Sequence, residues 1–345
     1  MTPRVSVVLP AFNAAATVGH ALASIRDQSL AEWELIAVDD GSTDGTGVVL
    51  EEWARREPRL RVLHQPHRGV AAAANAGVAA ARAGLLARLD ADDVALPGRL
   101  ARQLAFLEDP ANRGIGVVSC LVEFGGERAA SHGYALHVDW LNALDTPEAV
   151  ARQRFVESPV ANPSVMFRRE LWDRHGGFRD GDFPEDYELW LRWLDAGVRV
   201  GKVPEVLLRW NDPPTRLSRT DSRYAPEAFF RLKAPWIARE LARMAERRGG
   251  PRPVLVWGAG RHTRRRASHL LEQGVALAGY IDVDVKKTGR GVGGTGLPVL
   301  AEEAVPPPGR AFVLGYVTSR GARDYIRRSL ERRGHVEGED FLLCA

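Results

Sequence analysis

Leu85 to Pro97 reads LLARLDADDVALP, an apolar run that ends in Asp90, Asp92 and Asp93 with only Ala91 between them. If a strand continues through these residues, alternation puts Asp90 and Asp92 on one face and Ala91 and Asp93 on the other, so that Asp93 is the outward neighbour. Two carboxylates about 6 to 7 Å apart on one strand face repel each other unless a cation lies between them. A hard divalent ion such as Mg²⁺ binds through one or two carboxylates and completes its shell on substrate phosphates. The same residues also suit a solvated acidic turn that caps the next helix, so the rest of the chain has to decide between the two.

A further carboxylate stands in Phe183 to Gly197, FPEDYELWLRWLDAG. Pro184 suits the first helical position, and Glu185 and Asp186 suit the first turn. Helical spacing sets Asp186 on the stripe of Leu189, Trp190 and Trp193, and Glu185 with Glu188 and Arg192, so Asp186 faces inward. A carboxylate at the mouth of an apolar stripe is either a partner of the helix dipole or a base.

The elements that must position these acids alternate between strand and helix. Arg4 to Pro10 is a β-branched run, and Val18, Leu22 and Ile25 then recur at helical spacing between Ala14 and Gln28. Strands follow at Glu34 to Asp39 and Arg61 to His64, and the alanine-rich Gly69 to Ala83 reads as a helix leading into the fourth strand and its acids. This alternation predicts a parallel, doubly wound sheet, in which ligands bind beyond the carboxyl ends of the strands. Pro10, Phe12 and Asn13 follow the first strand and Asp39 and Asp40 the second, while Asp90 and Asp92 follow the fourth. Asn13 could cap a helix, and Asp39-Asp40-Gly41-Ser42 could be a turn before an Asp44 N-cap. Their convergence on one rim favours a nucleotide site.

At 345 residues the chain predicts two domains, given roughly 100 to 200 residues per domain. Its 47 Lys and Arg nearly balance 44 Asp and Glu, so no general affinity for nucleic acid follows. The N-terminus lacks a signal-peptide core and no apolar run has the length of a membrane span, which predicts a cytoplasmic protein; peripheral membrane contact stays open. Cys120 and Cys344 fit no metal or redox spacing.

PAFN after the first strand, VDDGSTDGT after the second, GVAAAANAG and LDADDVALPGRL resemble the nucleotide-sugar half of family 2 glycosyltransferases, which have the GT-A fold. The likeness spans Val5 to Leu104 with the four motifs in order. It implies that Pro10, Phe12, Asn13, Asp39 and Asp40 lie at the nucleoside, and that Asp90, Ala91 and Asp92 form a DxD motif whose acids hold Mn²⁺ or Mg²⁺ on the donor diphosphate. The family's motif often has Arg or Leu before the asparagine, where this chain has Ala74 before Asn75. EDYELWLRW is similar to the ED motif of inverting members, which implies Asp186 as general base. The loop NDPPTRLSRTDSRY, Asn211 to Tyr224, is either a solvated linker or a lid that brings Arg216, Ser218 and Arg219 to the diphosphate. The implied partners are a nucleotide sugar and a glycan, lipid-linked or small-molecule acceptor.

The predicted organisation is α/β: a GT-A domain over 1–225, with a nucleotide half to about residue 120 and an acceptor half after it; a connecting helix over 226–250; and a small Rossmann-like domain over 251–345. Phe124 to Arg154 shows no regular pattern, whereas Phe155 to Arg168 reads as a β-like run. In the last domain, PVLVWGAG ends in Gly258 and Gly260, with Asp282 placed where a dinucleotide fingerprint has its ribose acid. The third glycine of that fingerprint is Thr263 and nothing nearby suggests hydride transfer, so NAD is not expected; another phosphate ligand and an unliganded docking module both stay open. Two rivals to an inverting glycosyltransferase remain. A nucleotidyltransferase needs a Gly-rich basic loop that PAFNAAAT lacks, and a noncatalytic nucleotide-sugar sensor or scaffold has no need of Asp186.

Overall fold

Apolar and β-branched runs build the strands. In the computed structural model, which describes residues 2–129, 131–213, 215–289, 291 and 296–345, β1 (Val5–Ala11), β2 (Trp33–Asp39), β3 (Leu60–His64) and β4 (Leu85–Arg88) lie side by side as β3-β2-β1-β4, all parallel. Every residue of β1 and β2 is buried, as in strands covered on both faces. The helix Val70–Ala80 approaches β1 so closely that a Cβ on Gly77 would lie 2.4 Å from Val8 Cγ1, which explains its alanine and glycine composition.

Past β4 the expected parallel sheet becomes mixed. β5 (Val94–Ala95), β6 (Ile115–Phe124), β7 (Met166–Arg168) and β8 (Arg199–Trp210) extend it as β4-β7-β6-β8-β5. β7 runs antiparallel to β4 and β6, and β5 antiparallel to β8, whereas β6 and β8 are parallel. The later strands therefore continue the sheet of the first four. The run from Phe155 becomes strand only at Met166, because Pro159 and Pro163 remove ladder donors. The stretch without a pattern holds two helices, His132–Asn142 and Pro147–Gln153.

The chain forms two compact units, Met1–Ala151 with Ser158–Asp221, and Arg152–Glu157 with Ser222–Ala345. The second begins with the long helix Pro226–Arg248, ended by Gly249 at φ 77°. Its strands β9 (Val254–Trp257), β10 (Leu277–Ile281), β11 (Val299–Leu300), β12 (Phe312–Gly315) and β13 (Phe341–Leu343) lie in the order β11-β10-β9-β12-β13, all parallel. Numbered within the unit this is 3-2-1-4-5, the order of a doubly wound sheet. Arg152–Glu157 is bound into the unit by polar contacts. Lys233 Nζ donates to the carbonyls of Val156 (3.2 Å) and Cys344 (2.6 Å), Gln153 Nε2 to Glu337 (2.7 Å), and Arg154 pairs with Glu240 (3.0 Å). Among the described residues, no helix is long and apolar enough to cross a membrane.

Candidate active site

β4 stops at Arg88, and Asp90 to Asp93 form a turn closed by the Asp93 N–H on the Asp90 carbonyl (3.2 Å). Strand alternation therefore does not apply, and the expected outward position of Asp93 is corrected: it is 1% exposed. Asn211, just past β8, draws it inward. The Asn211 N–H donates to Asp93 Oδ1 (2.8 Å) and its Nδ2 to the Asp92 carbonyl (2.6 Å). A Cβ on Gly125 would lie 2.1 Å from Asn211 Oδ1, so glycine at 125 is what lets the asparagine fit.

Two guanidiniums meet these acids. Buried Arg88 pairs through Nη2 with Asp90 Oδ1 (2.7 Å). Arg216 lies over the rings of Trp210 (4.4 Å) and Tyr134 (4.6 Å), a cation–π shelf, and its Nη1 donates to the Asn211 carbonyl (3.4 Å). Burial opposes its charge, but Tyr134 and then Asp93, Asp92 and Asp90 raise its pKa above the ordinary arginine value. Burial, then the charge of Asp90, pushes Asp92 up to about 6, and burial next to Asp92 and Asp90 raises Asp93 well above the usual carboxylate range. Ser218 lies exposed on the short helix Leu217–Thr220, and Arg219 is paired with Asp212 (2.8 Å). Of the three lid residues, Arg216 is the one the structure brings to the acids; Pro214 of that loop lies outside the described residues.

The helix Glu185–Asp195 carries Asp186 and begins one residue later than expected, with Pro184 as its N-cap. It buries Tyr187, Leu189, Trp190, Leu191 and Trp193, each large side chain stabilising by about 1.5 to 3 kcal/mol. Arg192 fixes its orientation through Glu188 (2.9 Å) and the carbonyls of Gly176 (3.0 Å) and Gly177 (2.7 Å). Asn75 holds the backbone just before it, donating to the Phe178 carbonyl (2.9 Å) and accepting from the Phe178 N–H (3.1 Å). Asp186 keeps partial exposure beside this packed face. Burial and then Glu185 raise its pKa to about 7, with Asp90 adding to the shift.

The ends of β1 and β2 carry the remaining expected residues. Pro10 is buried within β1, past the last residue that pairs with β4, so its missing N–H leaves no gap in the ladder. Phe12 is 46% exposed and stacked on His67 at 4.0 Å. Asn13 adopts a left-handed φ of 48°, takes the Thr43 N–H on Oδ1 (2.9 Å) and donates its own N–H to Ser42 Oγ (3.0 Å). Asp39 and Asp40 are buried and their oxygens are engaged by the protein. Asp39 accepts from the Ser42 N–H (3.1 Å) and faces His64 (3.1 Å). Asp40 accepts from Gln65 (2.6 Å) and the N–H groups of Arg68 (3.0 Å) and Gly69 (2.8 Å), and pairs with His67 (2.8 Å). Asp44 takes the Thr46 N–H (3.0 Å), but the N-cap itself is Gly45. Of the expected residues on this rim, Phe12, stacked on His67, and Asn13 are thus the exposed ones.

A divalent cation fits the donor set at the turn. The donors are hard carboxylate oxygens, and Asp93 Oδ2 is buried without a hydrogen-bond partner. Among the described residues no three acidic, histidine or cysteine ligands form a ready-made cage. An ion held by Asp90 and Asp92 would need further oxygens from a substrate, as Mg²⁺ commonly does.

Residues 6–176 match the family model described as glycosyl transferase family 2. TuaG of Bacillus subtilis (strain 168), whose name links it to teichuronic acid biosynthesis, is 37% identical over 250 residues, covering 70% of this chain and 90% of its own. The chain belongs to glycosyl transferase family 2. Another relative of this family 2 enzyme is EpsE of the same organism, 29% identical over 260 residues, which are 70% of this chain and 89% of EpsE. The structure of S. aureus TarS 1-349 in complex with UDP-GlcNAc superimposes with a TM-score of 0.54 at 16% identity, over 79% of this chain and 71% of that one. The large mixed sheet is that of a GT-A glycosyltransferase.

Arg88, Asn211, Tyr134, Trp210 and His67 were not singled out by sequence reasoning. Arg88 had a visible signal, a charge inside the apolar run LLARL. Asn211 had none, because its two partners lie 118 and 119 residues away.

Proposed function

We propose that this family 2 glycosyltransferase moves a sugar from a nucleoside-diphosphate sugar to an acceptor hydroxyl with inversion, Asp186 acting as the base and Asp90 and Asp92 holding a divalent metal at the donor diphosphate. The observation that carries this reading is the meeting of the Asp90–Asp93 turn, Arg216 and Asp186 in one electrostatic neighbourhood. TarS, which shares the fold, has been captured with UDP-GlcNAc. The acceptor belongs to the glycan, lipid-linked or small-molecule classes.

Each residue then has a stated task. Phe12 offers a face to the nucleobase. Arg216, kept cationic on its aromatic shelf, binds the diphosphate, and Ser218 lies two residues further along the same segment. A divalent ion on Asp90 and Asp92 would supply positive charge against the negative charge that develops on the departing diphosphate. Asp186 accepts the acceptor's proton as the new C–O bond forms and the old one breaks, in a single displacement through an oxocarbenium-like transition state. Its pKa of about 7 replaces the ordinary carboxylate value near 4, making it a stronger base at neutral pH. That is still far below a sugar hydroxyl, so proton transfer accompanies bond formation.

The test is a thermal-shift screen of nucleotide sugars with and without Mn²⁺, repeated on Asp92→Ala. One donor should stabilise the wild type in proportion to its excess over Kd, more with Mn²⁺, and Asp92→Ala should lose the Mn²⁺ increment. No stabilisation by any nucleotide would overturn the reading.

A further inference from the structure

Divided by unit, the near-neutral chain separates into opposite charges. Met1–Ala151 with Ser158–Asp221 has 23 Lys and Arg against 30 Asp and Glu, net −7; Arg152–Glu157 with Ser222–Ala345 has 24 against 14, net +10. Charge asymmetry of this size between parts of one chain marks a polyanionic partner for the basic part.

Part of that excess gathers at one edge. β10, β9 and β12 are neighbours, so the loops leaving their carboxyl ends are neighbours as well. Those segments carry Arg261 and Arg264 after β9, Lys286 after β10 and Arg320 after β12, and none of the four forms an ion pair with an acid among the described residues. Between Asp282 and Lys286 stand Val283 and Val285, 57% and 79% exposed. Asp282 holds this loop in place. Its Oδ2 accepts the Ala259 N–H (2.9 Å), its Oδ1 accepts the Asp284 N–H (3.0 Å), and Lys287 pairs with it at 3.1 Å. The acid whose spacing suits a ribose is therefore engaged in displaying the two valines.

We propose that this carboxyl edge of the second sheet docks the enzyme on an anionic lipid surface. Exposed aliphatic tips set among bases are the composition of an interfacial loop: the alkyl groups enter the boundary below the headgroups while the cations stay at the level of the phosphates. A face for single-stranded nucleic acid would offer several free rings for the bases to stack on, whereas the exposed apolar side chains in these loops are valines and Tyr325, on the helix after β12, is tied through its hydroxyl to Glu302. The docking is separate from the transfer chemistry, since none of these residues has a role in it.

Co-sedimentation of the full chain with vesicles checks the proposal. The protein should bind phosphatidylcholine vesicles containing phosphatidylglycerol, leave pure phosphatidylcholine in solution, and be released from the anionic vesicles by salt as screening shortens the reach of the charges. Lys286→Glu and Arg320→Glu should each lower the partition coefficient about fivefold or more, since a base near such a surface contributes about 1 kcal/mol. The double change Val283→Ser with Val285→Ser should lower it several-fold with every base intact. All three variants should melt with the wild type and keep transfer to a soluble acceptor, which separates loss of docking from loss of glycosyl transfer. Equal binding to neutral vesicles, or no binding to anionic ones at low salt, would overturn the proposal. So would valine variants that bind like wild type while the protein is retained on an oligonucleotide, which would make the edge a nucleic-acid site.

Discussion

The first sheet and the second meet the same rule with opposite chemistry. Both gather polar loops at the carboxyl ends of parallel strands, where side chains of sequence-distant residues converge. At the first sheet the loops bring carboxylates, Asp90, Asp92 and Asp93, against Arg88 and Arg216. At the second they bring Arg261, Arg264, Lys286 and Arg320 around two exposed valines. At the first, desolvation raises the pKa of Asp92, Asp93 and Asp186, which is the signature of groups that do chemistry. The bases of the second are largely exposed, which suits a surface that recognises charge without reacting.

The largest effect that would sharpen this contrast is expected at Asp186. Asp186→Asn should lower kcat by at least about 10²- to 10⁴-fold while donor binding by thermal shift is kept; wild-type turnover would remove Asp186 from the reaction. Next comes pH. An acid whose folded pKa is raised to about 7 is protonated and inert below that value and becomes an effective base above it, so kcat/KM should rise through a midpoint near 7. Because Asp90 contributes to the shift, saturating Mn²⁺ should move the midpoint lower. A flat profile from pH 5 to 8 would separate Asp186 from proton transfer.

Asn211 tests whether the acidic turn and the arginine shelf work as one body. Asn211→Ala frees the Asp92 carbonyl, and Gly125→Ala pushes the same asparagine out of place. Each should raise the donor KM and the Mn²⁺ requirement by about tenfold, the scale of a lost hydrogen bond near charge, with a smaller change in kcat. Equal losses in KM and kcat for both variants would mean a general disturbance of the fold. The smallest effect belongs to the other sheet. Arg261→Ala and Arg320→Ala should leave transfer to a soluble acceptor within about twofold, as expected for exposed positions away from the reaction. A larger loss would break the division between a reacting edge and a recognising one.

What the sequence disclosed, and what it hid, follows from the range of the interactions. β1, β2 and the helix Glu185–Asp195 were readable because their apolar spacing is a local property. The helix His132–Asn142 was not, since its buried stripe of Ala135, Val138 and Leu141 is masked by His137 and Trp140 between them. The acids were readable as a group, but their geometry was not. Alternation assumed a strand through Asp93, while the chain turns there and a residue 118 positions away takes its carboxylate. The mixed half of the sheet was hidden for the same reason, because the direction in which β7 pairs is set by distant strands. At the rim of β1 and β2 the motif located Asp39 and Asp40 without revealing how fully the loop after β3 already engages them.

Arg152–Glu157 gives the chain a property that its domain order conceals. This stretch interrupts the first unit yet folds with the second, its Val156 carbonyl capped by Lys233 and its Phe155 and Val156 buried. Cutting the gene after Asp221 would therefore not release a self-sufficient transferase. It would strip cover from two apolar side chains in mid-chain and leave three polar tethers without their counterparts. The two halves are separate in charge and in chemistry, but they were not joined end to end, and an engineer exchanging the second for another module would have to carry those six internal residues with it.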